Sequence, residues 1–553
     1  MTAADSLMAP RDELPVGAAT DDRRRGRLAP VSGREAALAF IVLTLLAALT
    51  FGPYAVDGGF TFDDWANAAG SLYAGSFGGM VDYFAELTMY RPGLVIYVPI
   101  TYELFGNHMG FHLAWAAGIG VFVSWCLYGV LRTVRLPSLH AGAIAALVLL
   151  FPWADSTRFW STASQVTLGV ALALAGLWLA LIALRRRSLP LHCASLALYA
   201  TSILTYEIAL LMVPAYGLVY VSAVGWRAAR ARWAADVVVG AAGAIWVWSQ
   251  TKRESGGLSE KLDHAWDIVV SGGTLLGRAG LPLGPQHTTL VLLALALTAM
   301  IGSAYWYRER GRRLPHGTSM TPWLLLGAAG LSIAGLGWAI FVPAHPYYTP
   351  SVFGVTNRVN GLAAVGLVMV VYAALGIIGA LVARLTARPA FAATAVTLAL
   401  AGALGLAYKG VLERHSDIWI AAYNQQMGGL GALQAALPNL PDGTTVFISG
   451  HPAYLTLGVP IFSSSWDVNG AIKLYYDNPT LSAQPVLHGS TIECERAGVK
   501  LAGPGFPNGA VPYGTVRLFD VASGRVADPT SRRACQRVAP AFAPGPLYLS
   551  FDY

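Results

Sequence analysis

The chain has 553 residues, 55% of them hydrophobic and only 12% charged. An ordinary soluble domain carries about 25% charged residues, so these proportions exclude a water-soluble protein and make lipid part of the solvent. The net charge of +7 belongs, in such a chain, to cytoplasmic loops and is not read as a nucleic-acid-binding surface.

Residues 1–34 are polar and include Arg23, Arg24, Arg25, Arg27 and Arg34; they read as a disordered cytoplasmic tail. An apolar run from about Ala36 to Val56 follows. It is long enough to cross a hydrocarbon core of ~30 Å, and no A-x-A cleavage site follows, so it reads as a retained helix. Further spans are expected near 112–131, 138–152, 164–184, 189–205, 208–225, 234–250, 287–306, 321–342, 360–382 and 390–407, about eleven in all. The basic clusters Arg132/Arg135, Arg185–Arg187, Arg227/Arg230/Arg232, Arg308/Arg310/Arg312/Arg313 and Arg384/Arg388 then all fall on the side of the N-terminal tail. The loops 57–111, 153–163, 251–286 and 343–359 fall on the other side, with few basic residues, as the positive-inside rule requires. The resulting fold class is a polytopic α-helical membrane protein with transmembrane residues 35–407.

After about residue 408 the hydropathy collapses. Residues 408–553 are rich in Gly, Pro, Asn and Asp, open with an amphipathic stretch near His415–Leu437, and contain short β-type runs such as Thr444–Ile448, Val511–Phe519 and Leu547–Phe551. This length suits one small α/β or mostly β domain, which an odd number of spans places outside the cytoplasm. There Cys494 and Cys535 can pair as a disulfide, whereas Cys126 and Cys193 lie in apolar stretches.

The first external loop, 57–111, carries the most chemistry. It reads Phe60-Thr61-Phe62-Asp63-Asp64-Trp65, then Tyr90-Arg91-Pro92-Gly93, before His112 opens the next span. Two adjacent carboxylates just past a membrane exit can meet a substrate at the water–lipid boundary. One can take a proton from an attacking hydroxyl; the other can orient it or help hold a divalent metal such as Mg or Mn. Thr61 and Asp64 also have the spacing of a helix capping box, so a structural role competes with the catalytic one. Arg158 and Arg358 sit at external membrane edges, where an isolated cation needs an anionic partner; snorkelling to headgroups is the alternative. Glu207 lies between two apolar runs near the outer face, either as a functional group or as a hydrogen-bonded structural one. Lys252, Arg253 and Glu254 read as a solvated face, and His345 and His451 as structural or surface histidines. The many Trp and Tyr residues near span ends fit an interfacial belt, although Trp65, Trp160, Tyr347 and Tyr348 are shaped to stack on sugar rings.

Taken in order, these features resemble the GT-C superfamily of membrane glycosyltransferases over roughly residues 36–407. The matching points are the acidic Asp63-Asp64 pair after an N-in first helix, Arg91-Pro92 before an amphipathic helix, and His112 at the next span, as in the protein mannosyltransferase-like branches. Thr205-Tyr206-Glu207 takes the place of a polar "KE" turn, and Phe341-Val342-Pro343, Tyr347-Tyr348 and Asn357-Arg358 that of a Pro…Arg-Tyr pattern. Tyr206 replaces Lys, and Val359 replaces Tyr. The external C-terminal domain is similar in placement to that of actinobacterial cell-wall arabinosyltransferases. The resemblance implies a polyprenyl-phosphate sugar donor and a cell-envelope glycan, glycolipid or protein acceptor. It also implies Asp63 or Asp64 as general base, with Arg358, Arg158 or Arg91 on the donor phosphate. Arg91 has the alternative of pairing with Asp63 or Asp64. A transporter or flippase of lipid-linked sugars, and a glycan polymerase or ligase, are the rival readings. The first is disfavoured by the lack of an obvious internal repeat.

Overall fold

The computed structural model describes residues 28–250, 257–282, 288–309, 318–344, 348–503 and 509–549. The arginines of the tail from Arg23 to Arg27, and also Arg310, Arg312, Arg313, Lys252, Arg253, Glu254, His345 and Tyr347, lie outside the described residues.

Each of the expected spans falls on a helix. The first, α1 (Gly33–Asp57), is started by Ser32, whose hydroxyl accepts from the Glu35 amide at 3.1 Å. Next come three short helices, α2 (Asp63–Tyr73), α3 (Phe77–Thr88) and α4 (Pro92–Phe105). The bundle continues with α5 (Met109–Thr133), α6 (Ser138–Leu149), α7 (Ser164–Arg186), α8 (Leu189–Thr205), α9 (Met212–Val224) and α10 (Trp226–Gln250). It closes with α11 (Leu258–Gly280), α12 (Thr288–Arg308), α13 (Thr321–Ala339), α14 (Ala363–Ala383) and α15 (Pro389–Ala436). Seven of the described helices are long and apolar enough to cross a membrane. Others are short: α6, with 12 residues, reaches only about 18 Å at 1.5 Å per residue and needs its neighbours to complete a crossing. Leu290, Leu293, Leu297 and Met300 on α12 are exposed, which suits a multi-pass protein whose outer surface meets lipid rather than water.

Ion pairs tie two of the basic clusters to neighbouring helices. Arg132 at the end of α5 donates to Glu35 at the start of α1 at 2.5 Å. Arg384, just past α14, makes a bidentate pair with Glu309 at 2.6 and 2.7 Å. The end opposite, where α1 finishes, carries α2 to α4 and the C-terminal domain.

That domain is reached through α15, which runs unbroken for 48 residues. The expected boundary at 407/408 therefore falls inside a helix: its first half is apolar, and its second half is the amphipathic stretch foreseen near 415–437. At roughly 72 Å it far exceeds the hydrocarbon thickness, so a single rigid rod links the bundle to the domain. The domain is α/β. Its sheet runs β4–β1–β7–β8, with β1 (Thr445–Ser449) parallel to both β4 (Ser482–Pro485) and β7 (Val516–Asp520), and β8 (Arg525–Ala527) antiparallel at the edge. All five residues of β1 are buried, as expected for a strand covered on both faces. Two hairpins, β2 (Tyr454–Thr456) with β3 (Val459–Pro460) and β5 (Thr491–Cys494) with β6 (Val499–Ala502), flank it. Helix α16 (Ser465–Tyr476) packs between β4 and α2, and α17 (Arg532–Val538) is tied to β5 by the Cys494–Cys535 disulfide.

The disulfide closes a loop between residues 41 apart in sequence. Replacing both cysteines by serine is expected to cost the domain about 2–4 kcal/mol, read as a lower unfolding temperature of the protein in nanodiscs. Reductant should lower that of the wild type similarly.

Candidate active site

The two adjacent carboxylates are handled in opposite ways. Asp64 is fully buried and its two oxygens accept from five donors. These are the amides of Thr61 (3.2 Å), Ser161 (3.3 Å) and Thr162 (2.8 Å), and the hydroxyls of Ser161 (2.8 Å) and Thr162 (2.6 Å). Burial pushes its pKa up, while these donors hold it down. Asp64 thus staples α2 to the 153–163 loop. The capping box is half made. Asp64 accepts from the Thr61 amide, but the Thr61 hydroxyl has no partner. The residue at the helix start is Phe62, held at φ 51° and ψ −121°. A left-handed φ at a bulky residue is a cost of order 1–3 kcal/mol, tolerated where the surroundings impose it; here the Asp64 staple and the docked domain do so.

Asp63 is only half-buried. Its Oδ1 accepts from the indole N–H of Trp466 at 2.8 Å, and its Oδ2 accepts no hydrogen bond among the described residues. Burial pushes its carboxyl up to about 6; the Trp466 hydrogen bond and the Arg358 charge pull it down, and Asp64 pushes it up again. A carboxylate with an open oxygen and a pKa near neutrality is suited to general-base work.

Arg358 sits on a 3₁₀ turn, Val355–Asn360. The turn is fixed from its buried face. Asn357 donates to Asp155 at 2.5 Å and accepts from the Ser156 amide at 3.2 Å. Asn360 donates to the carbonyls of Trp153 (2.6 Å) and Ser351 (2.8 Å). Asp155 is in turn held by His415 Nδ1–H at 2.6 Å, from the upper half of α15. Both asparagines being pinned three residues apart, Arg358 is left on the open side. There its guanidinium lies 5.2 Å from the Trp160 ring and 5.6 Å from the Tyr348 ring and donates one hydrogen bond, to the Val355 carbonyl at 2.9 Å. It makes no ion pair among the described residues, so its remaining N–H groups can meet an anion.

The other expected residues lie elsewhere. Arg91 does not reach Asp63 or Asp64. It forms a bidentate pair with Glu207, at 2.8 and 2.6 Å, under the ring of Tyr206 at 4.0 Å. Both charges are thereby consumed, and the pair ties α4 to the break between α8 and α9. Arg158 turns into the bundle, donating to the Phe151 carbonyl at 2.7 Å. It lines a cavity of about 20 Å³ with Gly120, Ser124, Thr167 and Ala364. His112 is buried and donates from Nε2 to the Gly106 carbonyl at 2.8 Å. Among the described residues no three His, Cys, Asp or Glu side chains converge on one point. Because both Asp64 oxygens are taken, a divalent cation would find a free carboxylate oxygen only on Asp63, so the two-aspartate cation site does not fit.

Sequence reasoning missed Trp466, Asp155, His415, Ser161 and Thr162. Trp466 and His415 lie hundreds of residues from their partners, and no local pattern marks them.

No protein-family model matches the chain, and no curated protein sequence does. Among solved structures it is similar to ArnT from Cupriavidus metallidurans bound to undecaprenyl phosphate, at 16% identity over 80% of this chain and 85% of that one, with a TM-score of 0.39. The apo ArnT structure from the same organism gives 15% identity over 81% and 86%, and 0.38. The Archaeoglobus fulgidus oligosaccharyltransferase in complex with zinc and sulfate gives 13% identity over 81% of this chain and 62% of that one, and 0.36.

Two stability measurements follow from this geometry. Asp64→Asn offers an amide N–H₂ where donors already point. Buried donors then go unmet at about 1–3 kcal/mol each, and the purified protein is expected to melt earlier. Arg91→Ala and Glu207→Ala each strand a part-buried charge, at no more than about 3–5 kcal/mol. The double variant should lose clearly less than the sum, a coupling that a thermodynamic cycle reads directly.

Proposed function

We propose that this protein is a membrane glycosyltransferase of the GT-C type. In this reading it moves a sugar from a polyprenyl-phosphate donor to an extracytoplasmic acceptor with inversion at the anomeric carbon. The observation that carries it is the pairing of one available carboxylate, Asp63 Oδ2, with one available cation, Arg358, at the end of the bundle where the apolar helices emerge.

Each residue has one task. Asp63 takes the proton from the acceptor hydroxyl as that oxygen attacks the anomeric carbon. The bond from that carbon to the phosphate oxygen breaks, and both its electrons leave with the phosphate. Arg358 faces the departing phosphate, where a guanidinium can donate two parallel hydrogen bonds. Trp160 and Tyr348 hold that guanidinium from behind. The donor's isoprenoid tail stays in lipid between helices. Asp64 takes no proton; it fixes the helix that presents Asp63. The acceptor is an envelope glycan, a glycolipid or a protein on the outer face, where the C-terminal domain also lies.

The test is sugar transfer by the purified protein in nanodiscs, with a panel of radiolabelled polyprenyl-phosphate sugars. Asp63→Asn is expected to lose about 10²- to 10⁴-fold in rate with its melting temperature retained. Transfer that survives this change removes Asp63 from the chemistry. Since the base must be ionised, kcat/KM should fall as pH drops through about 6. Arg358→Ala should weaken turnover and, by removing a charge that lowers the Asp63 pKa, move this acid limb to higher pH.

A further inference from the structure

We propose that Trp466, from the C-terminal domain, is the residue that receives the acceptor, and that the acceptor is a saccharide whose ring lies on the exposed indole face beside Asp63. The proposal rests on the glycosyltransferase reading above and narrows its acceptor class.

The placement of Trp466 is built in. It stands in the first turn of α16, whose start is fixed by Asp467, a buried carboxylate accepting from the amides of Ser463 (3.0 Å) and Ser464 (3.3 Å). One helical turn on, Gly470 lies so close to α2 that a Cβ would come within 2.4 Å of the Trp65 carbonyl group. The helix is therefore seated against the helix that carries Asp63. Trp466 spends its only polar side-chain atom on Asp63 Oδ1 and meets Phe62 in a T-shaped contact, 5.5 Å between ring centroids. The residue remains 48% exposed.

A large aromatic face left open next to a reactive carboxylate is a specific recognition element. An acceptor hydroxyl bonded to Asp63 Oδ2 brings its carbon skeleton beside this indole, whose N–H holds the other oxygen of the same carboxylate. A sugar ring suits it. One face of the ring is a patch of C–H bonds, weakly positive at hydrogen, which fits the negative face of an aromatic π-system. The hydroxyls project from the ring edge, toward the carboxylate. A serine or threonine side chain has no such face. The indole N–H meanwhile tunes the base, because its hydrogen bond favours the ionised form of Asp63.

The two roles separate in two variants. Trp466→Phe keeps an aromatic face and loses the N–H. Trp466→Leu loses both. With the saccharide acceptor that supports transfer, Trp466→Leu should raise the acceptor KM about tenfold, while the donor KM stays within about twofold. Trp466→Phe should leave the acceptor KM near wild type but move the acid limb of the pH profile to higher pH. A structural role alone would change melting temperature and both KM values together. Independently of turnover, saturation-transfer NMR of the full protein in nanodiscs should show binding of at least one of a panel of arabino-, manno-, galacto- and gluco-oligosaccharides, lost in Trp466→Leu. A serine/threonine-rich peptide is the comparator. The proposal is overturned if Trp466→Leu leaves the acceptor KM unchanged, if no oligosaccharide binds, or if the peptide binds in their place. Binding lost in Trp466→Leu, with no transfer from any donor by wild type, would instead keep the saccharide site and sink the glycosyltransferase reading.

Discussion

Two backbone contacts, each made where a side chain is missing, seat the C-terminal domain on both halves of the site. At one, Gly470 of α16 lies against the backbone of Trp65. At the other, Gly354 and Gly458, with φ of 75° and 73°, pass so closely that a Cβ on the first would come within 2.3 Å of the second's carbonyl carbon, and the Val355 amide donates to the Gly458 carbonyl at 2.8 Å. The first contact fixes the helix of Asp63; the second fixes the turn of Arg358. Only glycine permits both the approach and, at 354 and 458, the left-handed backbone. Gln426 on α15 reinforces the seat, accepting from the Trp65 indole at 2.7 Å and donating to the Pro460 carbonyl at 3.2 Å. The distance between base and cation is thus set by a domain that follows both in sequence.

The same logic explains why two adjacent aspartates end up so different. A helix start offers one inward and one outward direction to neighbouring residues. Asp64 points inward, onto Ser161 and Thr162; burial raises its pKa, and its five donors oppose that rise. Asp63 points outward and receives one donor, and burial raises its pKa to about 6. One carboxylate is spent on rigidity, and the other keeps one oxygen without a hydrogen bond among the described residues. The arginines divide in the same way. Arg91 is saturated by Glu207, Arg158 is folded into the bundle, and Arg358 keeps open donors because Asn357 and Asn360 take up the polar contacts around its turn.

The multi-pass helical architecture was legible in the sequence because lipid imposes a composition and a length on every span. The short first-loop helices and the acidic pair were legible because their signals are local. What the sequence left open was which aspartate keeps an open oxygen, and it placed Arg91 and Arg158 on equal terms with Arg358. Those choices are made by contacts over long separations: Asp64 with Ser161 and Thr162, Arg91 with Glu207, and Asp63 with Trp466. No periodicity or spacing carries such information. The boundary expected at 407/408 fell inside α15 for a related reason. Hydropathy reports where lipid ends, not where a helix ends, and a helix can leave the bilayer without a break.

That continuity has a mechanical meaning. His415, on the part of α15 beyond the apolar half, grips Asp155, and Asp155 holds Asn357, the neighbour of Arg358. Gln426, three turns further along the same rod, grips Trp65, the neighbour of Asp64. A single helix therefore carries attachments to both halves of the site. The rod thus holds the helix of Asp63 and the turn of Arg358 in one fixed geometry. This gives a physical reason for the domain to be joined by an unbroken helix, where a flexible linker would leave that geometry unspecified.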